Sequence, residues 1–371
     1  MHTIFLVLIV ALFAGSLLSL SSNPHWLVRG WDFPRVQIVA IVLAIVMIHF
    51  AVHSWIAPAT LLMRCLIVGV AATLVVWHAC RIFPYTPIAA NQAQNAAVKV
   101  RHSAIVNDRH LRLIVSNVQM ENRSYDCWRE VICSANPDVI IAVETDQHWL
   151  NEMEALSDRF PYKIVQAQDN YYGMVLLSRL AIETHEIRFL VENDVPSIDA
   201  MVELASGGKV RVIGVHPRPP EPVRDNDATA RDAELVLWAK ELENYQGPVV
   251  IGGDLNDVAW SQTTRLFLRI SGLLDPRRGR GLFSTFHANH WWMRFPLDHI
   301  FHSTHFRIRE IKRLPNVGSD HFPMLIDLQQ APQDPKENKV LAEKENDQQE
   351  ASERIERASA NNDLAVVPAK S

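Results

Sequence analysis

Apolar positions along this chain follow two unlike patterns. Before residue 80 they come as long runs, Ile4–Leu20, Val36–Trp55 and Leu61–Trp77, each near the roughly 20 apolar residues that cross a bilayer as a helix. The stretch VQIVAIVLAIVMIHF inside the second run carries no charge. After residue 110 the apolar residues come in short stretches bounded by Gly, Pro, Asn and Asp, the pattern of strands. Strands are predicted over Leu111–Val118, Val139–Glu144, Gly173–Ser178, Ile182–Leu190, Asp199–Ala205, Val210–His216, Pro248–Gly253, Leu297–His302, His305–Lys312 and Met324–Leu328. Helices are predicted over Ser124–Ala135, Gln147–Ser157, Asn226–Tyr245 and Gln262–Ser271. In the third of these, Ala230, Ala233, Leu237 and Leu242 recur near the 3.6-residue helical period. Hairpin signals such as Ser206-Gly207-Gly208 argue for antiparallel pairing, and the mixture predicts an α/β domain of sheets packed face to face with helices outside.

Four segments follow: a three-helix transmembrane anchor over 1–81, a linker over 82–109, a globular domain over 110–330 and a polar tail over 331–371. Met1-His2-Thr3 offers no Lys or Arg, so the first run reads as a retained helix rather than a cleaved signal. Trp26, Trp31, Trp55 and Trp77 lie at or near the ends of the runs, where interfacial indoles gather. His49 and His53 stand one helical turn apart, but with no third ligand they read as packing or interfacial groups. The linker, FPYTPIAANQAQNAAVKVR, is rich in Pro, Ala and Asn and is suited to hold a domain just off a bilayer. The tail has almost no large apolar residues, which predicts disorder with a frayed helix near Leu341–Arg357.

Charge is divided as unevenly as hydrophobicity. Counting Lys and Arg against Asp and Glu gives +4 for residues 1–100, −6 for 101–330 and −3 for 331–371, within an overall −5. An acidic globular domain lowers the case for a protein gripping nucleic acid by its phosphates. Arg29 and Arg35 in the first loop share a side with Arg81, Lys99 and Arg101, and positive-inside counting puts the domain in the cytoplasm. The four cysteines, Cys65, Cys80, Cys127 and Cys133, show neither a disulfide framework nor zinc spacing.

Polar residues of chemical interest collect at the predicted strand ends. Asn117 ends LRLIVSN, Glu144 ends VIIAVE, His216 ends VRVIGVH, and Asp254 and Asn256 end VVIGGDLN. Asp298 sits in FPLDHIF, and Asp320 and His321 precede the last strand in GSDHFPMLIDL. Taken singly, Asn117 and Asn256 suit turns, Glu144 and Asp254 suit helix caps, and His216 suits a polar strand end. Taken together, the carboxylates and amides are hard oxygen ligands suited to Mg²⁺ or Mn²⁺. A His–Asp pair can orient an imidazole to accept a proton from water.

The order SNVQMEN, VET, YGMVLLSR, GVHPRPP, GGDLND, PLDHIF and GSDHFP resembles the endonuclease/exonuclease/phosphatase superfamily over roughly residues 110–328. The resemblance implies a four-layer αββα sandwich of DNase I type and a hydrolase acting on phosphoester bonds. It implies Glu144 as the principal Mg²⁺ ligand, helped by Asn117 and Asp320. His216 and Asn256 would bind the phosphate, Asp254 would be a second acid near the nucleophile, and His321, held by Asp298, would be the general base. Some members carry an additional Asp two residues after the strand-end Asn, where this chain has Gln119.

Substrate contacts are expected from Arg218, Arg278, Trp291, Trp292 and Arg294, which stand in the loops that follow or precede those residues. Aromatics with arginines suit nucleic acid by stacking or a lipid headgroup at an interface. The tether and the acidic domain favour a lipid or other membrane-associated phosphoester over nucleic acid. Membrane-anchored bacterial members of the superfamily are similar in layout, which implies a multi-pass protein of the bacterial inner membrane. That likeness puts the domain on the outer side, against the arginine count, so the sequence leaves the side open. No protein partner is identifiable, and a non-catalytic membrane scaffold is the remaining alternative.

Overall fold

The computed structural model describes residues 1–96, 109–221, 227–331, 339–361 and 363–370. Lys99, Arg101 and Arg224, the start of the helix expected from Asn226, and most of the second half of the linker lie outside the described residues.

The N-terminal region forms helices α1 (His2–Leu18), α2 (Trp26–Gly30), α3 (Arg35–Trp55) and α4 (Leu61–Ile82). α3 and the stretch Leu61–Tyr85 are long and apolar enough to cross a membrane, with mean hydropathy 2.4 and 1.9. Only 28% and 22% of their apolar windows are buried inside the protein, unlike the core helices of a water-soluble domain. α1 is as apolar but only 17 residues long, so the expected three spans become two of full length and one shorter companion. The three pack through Ile9, Ile38, Val42, Ile67 and Leu74. His49 is buried against His2, and His53 accepts the N–H of Ala59 at 2.8 Å, so both have packing roles.

One end of this bundle is fastened to the rest of the chain. Trp260 Nε1 donates to Asp32 O at 2.7 Å, Gln262 Nε2 to Ser19 O at 2.8 Å, and the Tyr85 hydroxyl to Ala259 O at 2.6 Å. The stretch after α4 is no spacer over its described part. Tyr85, Gln92 and Ala93 are buried, and Gln92 Oε1 accepts the N–H of Asp275 at 3.0 Å.

The globular part contains β1 (His110–Asn117), α5 (Tyr125–Ala135), β2 (Val139–Val143), α6 (Gln147–Met153), β3 (Tyr162–Gln166), β4 (Met174–Ser178), β5 (Ile182–Arg188), β6 (Ser197–Glu203) and β7 (Lys209–Gly214). Then come α7 (Thr229–Glu243), β8 (Val249–Asp254), α8 (Gln262–Ser271), β9 (Asp298–His302), β10 (Phe306–Arg313), β11 (Met324–Gln330) and α9 (Asp347–Ser359). One sheet runs β10-β11-β1-β2-β4-β3 and the other β5-β6-β7-β8-β9. Pairing is antiparallel except for β1 with β2 and β7 with β8. Parallel neighbours need a crossover, and α5 and α7 supply the two crossovers.

Alternating residues on the inner faces, among them Leu113, Val115 and Ile141 of one sheet and Val212, Val250 and Ile300 of the other, share one core. Ile114 and Ile140 face outward onto Trp128 and Trp149 of α5 and α6, while Ile213 and Ile251 face α7 and α8. The order is therefore helix, sheet, sheet, helix. The parallel pairs end at the same edge, which brings Asn117, Val143, Gly214 and Gly252 level in register.

Two elements depart from the sequence reading. β3 was not predicted, because YKIVQ is an edge strand with Tyr162 and Lys163 exposed and little apolar signal. The tail is not disordered over its described residues. α9 packs on α7 and α8 through Ala351 and Ala358, and Ala365 and Val367 donate to Val191 O and Leu190 O at 2.7 and 2.8 Å. The helix expected near Leu341–Arg357 is present and docked: its buried face is made of alanines and of charged groups with partners on other helices, Asp347 on Arg269 and Arg354 on Asp232, so composition hides the docking. Arg354 of α9 and Arg29 of α2 each reach Asp232 Oδ2 at 2.9 Å, and Arg231 reaches Oδ1 at 2.8 Å. This buried hub joins the anchor, the domain and the tail.

Candidate active site

The strand ends at the common edge carry the polar residues singled out by the sequence. Asn117 ends β1 with its amide oxygen accepting the N–H of Gln119 at 2.9 Å. Its Nδ2 therefore faces two acids, Glu144 Oε1 at 2.7 Å and Asp254 Oδ2 at 3.1 Å. Glu144 follows β2 with φ +62°, and its other oxygen accepts the N–H of Met120 at 3.3 Å. Gln119 at φ +58° and Asn256 at φ +51° share that left-handed region, which costs about 1–2 kcal/mol for an ordinary L-residue and marks functional sites when it recurs.

Asp254 ends β8 just after Gly253, where a Cβ would lie 1.7 Å from Val215 O. Only glycine lets the strand approach so closely. Asn256 N donates to Asp254 Oδ1 at 2.9 Å, and Asn256 Nδ2 to Pro217 O at 3.1 Å. His321 Nδ1 lies 2.7 Å from Asp298 Oδ2, while its Nε2 faces Asp254 Oδ2 at 3.5 Å. Ser319 Oγ accepts the N–H of His321, and Thr285 Oγ1 that of Asp298. His216 Nε2 stands 3.9 Å from Asp254 Oδ2, and its Nδ1 is buried without a hydrogen-bond partner.

Burial and mutual charge shift the titrations of these groups. Burial, with Asp254 and Asp320 adding to it, pushes Glu144 up to about 7 despite the Asn117 hydrogen bond. Burial brings His216 down to about 4, so the ring is neutral. Burial alone would raise Asp254, but His321 and the hydrogen bonds from the Asn256 N–H and the Asn117 side chain hold it below the usual carboxylate range. Asp298 is raised by burial. His321 is pushed up to about 10: burial opposes the charge, but Asp298, Asp254 and Asp320 outweigh it. Asp298, Asp254 and Asp320 thus favour the protonated form of His321.

These residues fit a divalent cation on the chemistry of the donors. Atoms of Asp254, Asp298 and His321 lie within 4.8 Å of one another. His321 Nδ1 is already engaged by Asp298. The oxygens left over belong to Glu144, Asp254 and Asp320, hard donors with more negative charge than their neighbours neutralise.

A sequence model of the Endonuclease/Exonuclease/phosphatase family matches residues 114–321, more than half of the chain. The chain belongs to that family. No curated protein is a significant match to it. Similar solved structures include a humanized D. rerio TDP2 with 14 mutations, 15% identical, covering 60% of this chain and 99% of that one at a TM-score of 0.49. The human nocturnin catalytic domain with bound sulfate anion is 16% identical, covering 60% and 96% at 0.49. Sphingomyelinase C from Streptomyces griseocarneus is 17% identical, covering 59% and 99% at 0.44. With TM-scores below 0.5 these likenesses carry no argument about what the chain acts on. Family membership itself places the chain among phosphoester hydrolases.

The remaining candidates of this family member fall in different places. Arg218 lies over the Tyr172 ring at 4.5 Å, and Tyr172 stands 5.4 Å from His216, so it reaches the rim. It is held there by Glu192 and Asp194. Arg278 lies over Tyr85 at 5.7 Å, on the anchor side and away from the cluster. Its neighbours are equally structural: Arg277 is closed by Asp275, and Arg280 donates to Ala93 O and Asn95 Oδ1. Arg294 lies 5.2 Å above the ring of Phe322, next to His321. Trp291 and Trp292 are 79% and 58% exposed and have no contact with the acid–imidazole cluster. Sequence reasoning passed over His287, which interacts electrostatically with Asp320 and His321. It also passed over the role of Gln119, whose Oε1 accepts the N–H of Asp320 at 3.0 Å. A second histidine in HANHWW was a visible signal for the former. Nothing local signals the latter.

Proposed function

We propose that this chain is a membrane-anchored, divalent-metal-dependent phosphoester hydrolase. The observation that carries the reading is the excess of acid around an oriented, buried imidazole: buried Asp254 and Asp298 and partly exposed Glu144 and Asp320 converge on His321. Self-repulsion of that kind is costly unless a cation completes it. Two apolar helices with mostly uncovered surfaces support the anchor.

Glu144 and Asp320 would hold Mg²⁺ or Mn²⁺, with Asn117 fixing the Glu144 carboxylate through its Nδ2. When bound, the ion supplies charge neutralisation and Lewis-acid stabilisation to the phosphoester anion. The second N–H of Asn256 and the neutral ring of His216 are the donors offered to non-bridging oxygens. Asp298 fixes the ring of His321 and leaves Nε2 to exchange a proton with water near Asp254. His321 can act as base only once the surrounding acids are offset, because they now hold its proton.

The test is phosphate or alcohol release from bis(p-nitrophenyl) phosphate and p-nitrophenyl phosphate by the full chain in nanodiscs. Activity that needs Mg²⁺ or Mn²⁺ and vanishes in His321→Ala is the expected result. A chain inert toward mono- and diesters at every metal concentration would leave the scaffold as the better description.

A further inference from the structure

Residues 285–295 form a hairpin whose two ends belong to different surroundings. At its base Phe286 N donates to Phe295 O and His287 N to Met293 O, both at 3.0 Å. The same base is bonded to the residues around the imidazole: Phe322 N donates to Thr285 O at 3.1 Å, Ala288 N to Asp320 O at 2.6 Å, and the Phe286 ring lies 4.9 Å from that of His321. The turn carries Trp291 and Trp292. Among the described residues from 110 to 331, the only other exposed large apolar side chains are Tyr162 and Tyr171, at 42% and 37%. Both exposed indoles of that domain are thus on one turn.

That turn stands beside the anchor. Gln37, in the first turn of α3, donates to Trp292 O at 3.1 Å, and Phe33 just before α3 meets Phe295 at 5.7 Å. Exposed apolar side chains continue along the neighbouring helix ends at Val36, Phe83 and Leu20. The tryptophans therefore stand where a spanning α3 would enter the headgroup layer, the depth that indoles favour. On the same hairpin Arg294 lines a groove of about 510 Å³ with Lys312, Arg313, Leu282 and Phe283. Arg313 lies over Phe322 at 4.3 Å. Three cations beside two apolar side chains suit an anionic headgroup with its chain attached.

We propose that the 285–295 hairpin is an interfacial blade: Trp291 and Trp292 sink into the headgroup layer of the bilayer holding α3 and α4, so that the site takes the phosphoester of an anionic amphiphile resident in that layer. This rests on the phosphoesterase reading, and the occupant of the blade is the bilayer surface. The hairpin links the two events mechanically, because its base touches His321 and Asp320 while its tip touches lipid.

The test compares the full chain with Trp291→Ser/Trp292→Ser in nanodiscs of phosphatidylcholine and phosphatidylglycerol. Lipids brominated near the headgroup should quench a component of the tryptophan emission that the double variant lacks. The rate on phosphatidic acid in the disc, divided by the rate on bis(p-nitrophenyl) phosphate in solution, should fall tenfold or more in the variant, and Phe at both positions should restore part of it. Equal quenching in the two proteins, or an unchanged ratio of rates, overturns the proposal. Emission from the pair that responds to protein concentration but not to bromine assigns the blade to a second copy and also overturns it. A chain that hydrolyses neither substrate defeats the phosphoesterase reading, while the quenching still decides whether the blade meets lipid.

Discussion

Two buried charge clusters, built from the same kinds of side chain, show what distinguishes a fastening from a site. In the hub, Asp232 is surrounded by Arg29, Arg231 and Arg354, and burial is outweighed by the guanidiniums, which hold its carboxyl far below the usual range. In the acid–imidazole cluster Glu144, Asp254, Asp298 and Asp320 outnumber the one imidazole they raise, and Glu144 and Asp298 are driven upward. The hub carries its own counterions and is finished. The acid–imidazole cluster is short of positive charge, the condition that the proposed cation would meet.

The comparison can be broken most directly at its two centres. His321→Ala should lower turnover by about 10²–10⁴-fold, the range for removing a positioned acid–base group, while circular dichroism and the thermal midpoint stay near the wild type. Asp232→Ala should do the reverse. It leaves three buried guanidiniums without their acid, a loss of about 3–5 kcal/mol, read as a lower thermal midpoint and earlier proteolysis of α9. If Asp232→Ala were as stable as the parent, the hub would not be a fastening.

A smaller effect separates the clusters by their need for metal. Chelation should lower the thermal midpoint of the full chain, and Mg²⁺ at a hundred times its dissociation constant should return about 2.7 kcal/mol. His321→Ala should keep part of this response and Glu144→Gln should lose most of it. The protection of α9 from protease should not change with metal in any of them.

The smallest effect comes from a third way of burying an acid. Glu234 accepts the Ser197 hydroxyl at 2.8 Å and has no cation beside it, and burial pushes it up to about 8. A raised carboxyl binds its proton more tightly in the folded state. Its stability contribution is therefore present below about 4.5, the ordinary value, and is lost as pH rises toward 8. Glu234→Gln should flatten the fall of the thermal midpoint between those limits, leaving activity at pH 7 within about twofold of the parent, as for other substitutions away from the site.

Much of this was legible in the chain because strands have short, strong patterns. LRLIVSN, VIIAV and VVIGGD each ended where the sequence placed a polar residue, and those ends converge. Helix α8 was found at its observed limits, since Ser261 caps it and Gly272 ends it in the left-handed region. Asp146, two residues past Glu144, caps α6, so the capping role open to Glu144 belongs to a neighbour. What escaped is long-range and polar. Arg29 and Arg354 lie on either side of Asp232 with no periodicity to announce them. Arg278 suggested substrate contact, yet it lies over Tyr85, and its neighbours Arg277 and Arg280 secure the chain around Gln92 and Asn95. Hydrogen-bond partners hundreds of positions apart leave no local signature.

Arg231 joins the hub to the Asn256 turn by donating to Asn256 O at 2.8 Å. Synthesis runs from the amino end, so α2 is made long before α9. The acid that holds this strut, Asp232, gains its third guanidinium when α9 settles. A chain cut short before residue 347 would keep every candidate residue of the site yet lose Arg354 from the acid that Arg231 also holds. Docking of α9 is thereby coupled to the stiffness of the turn at Asn256.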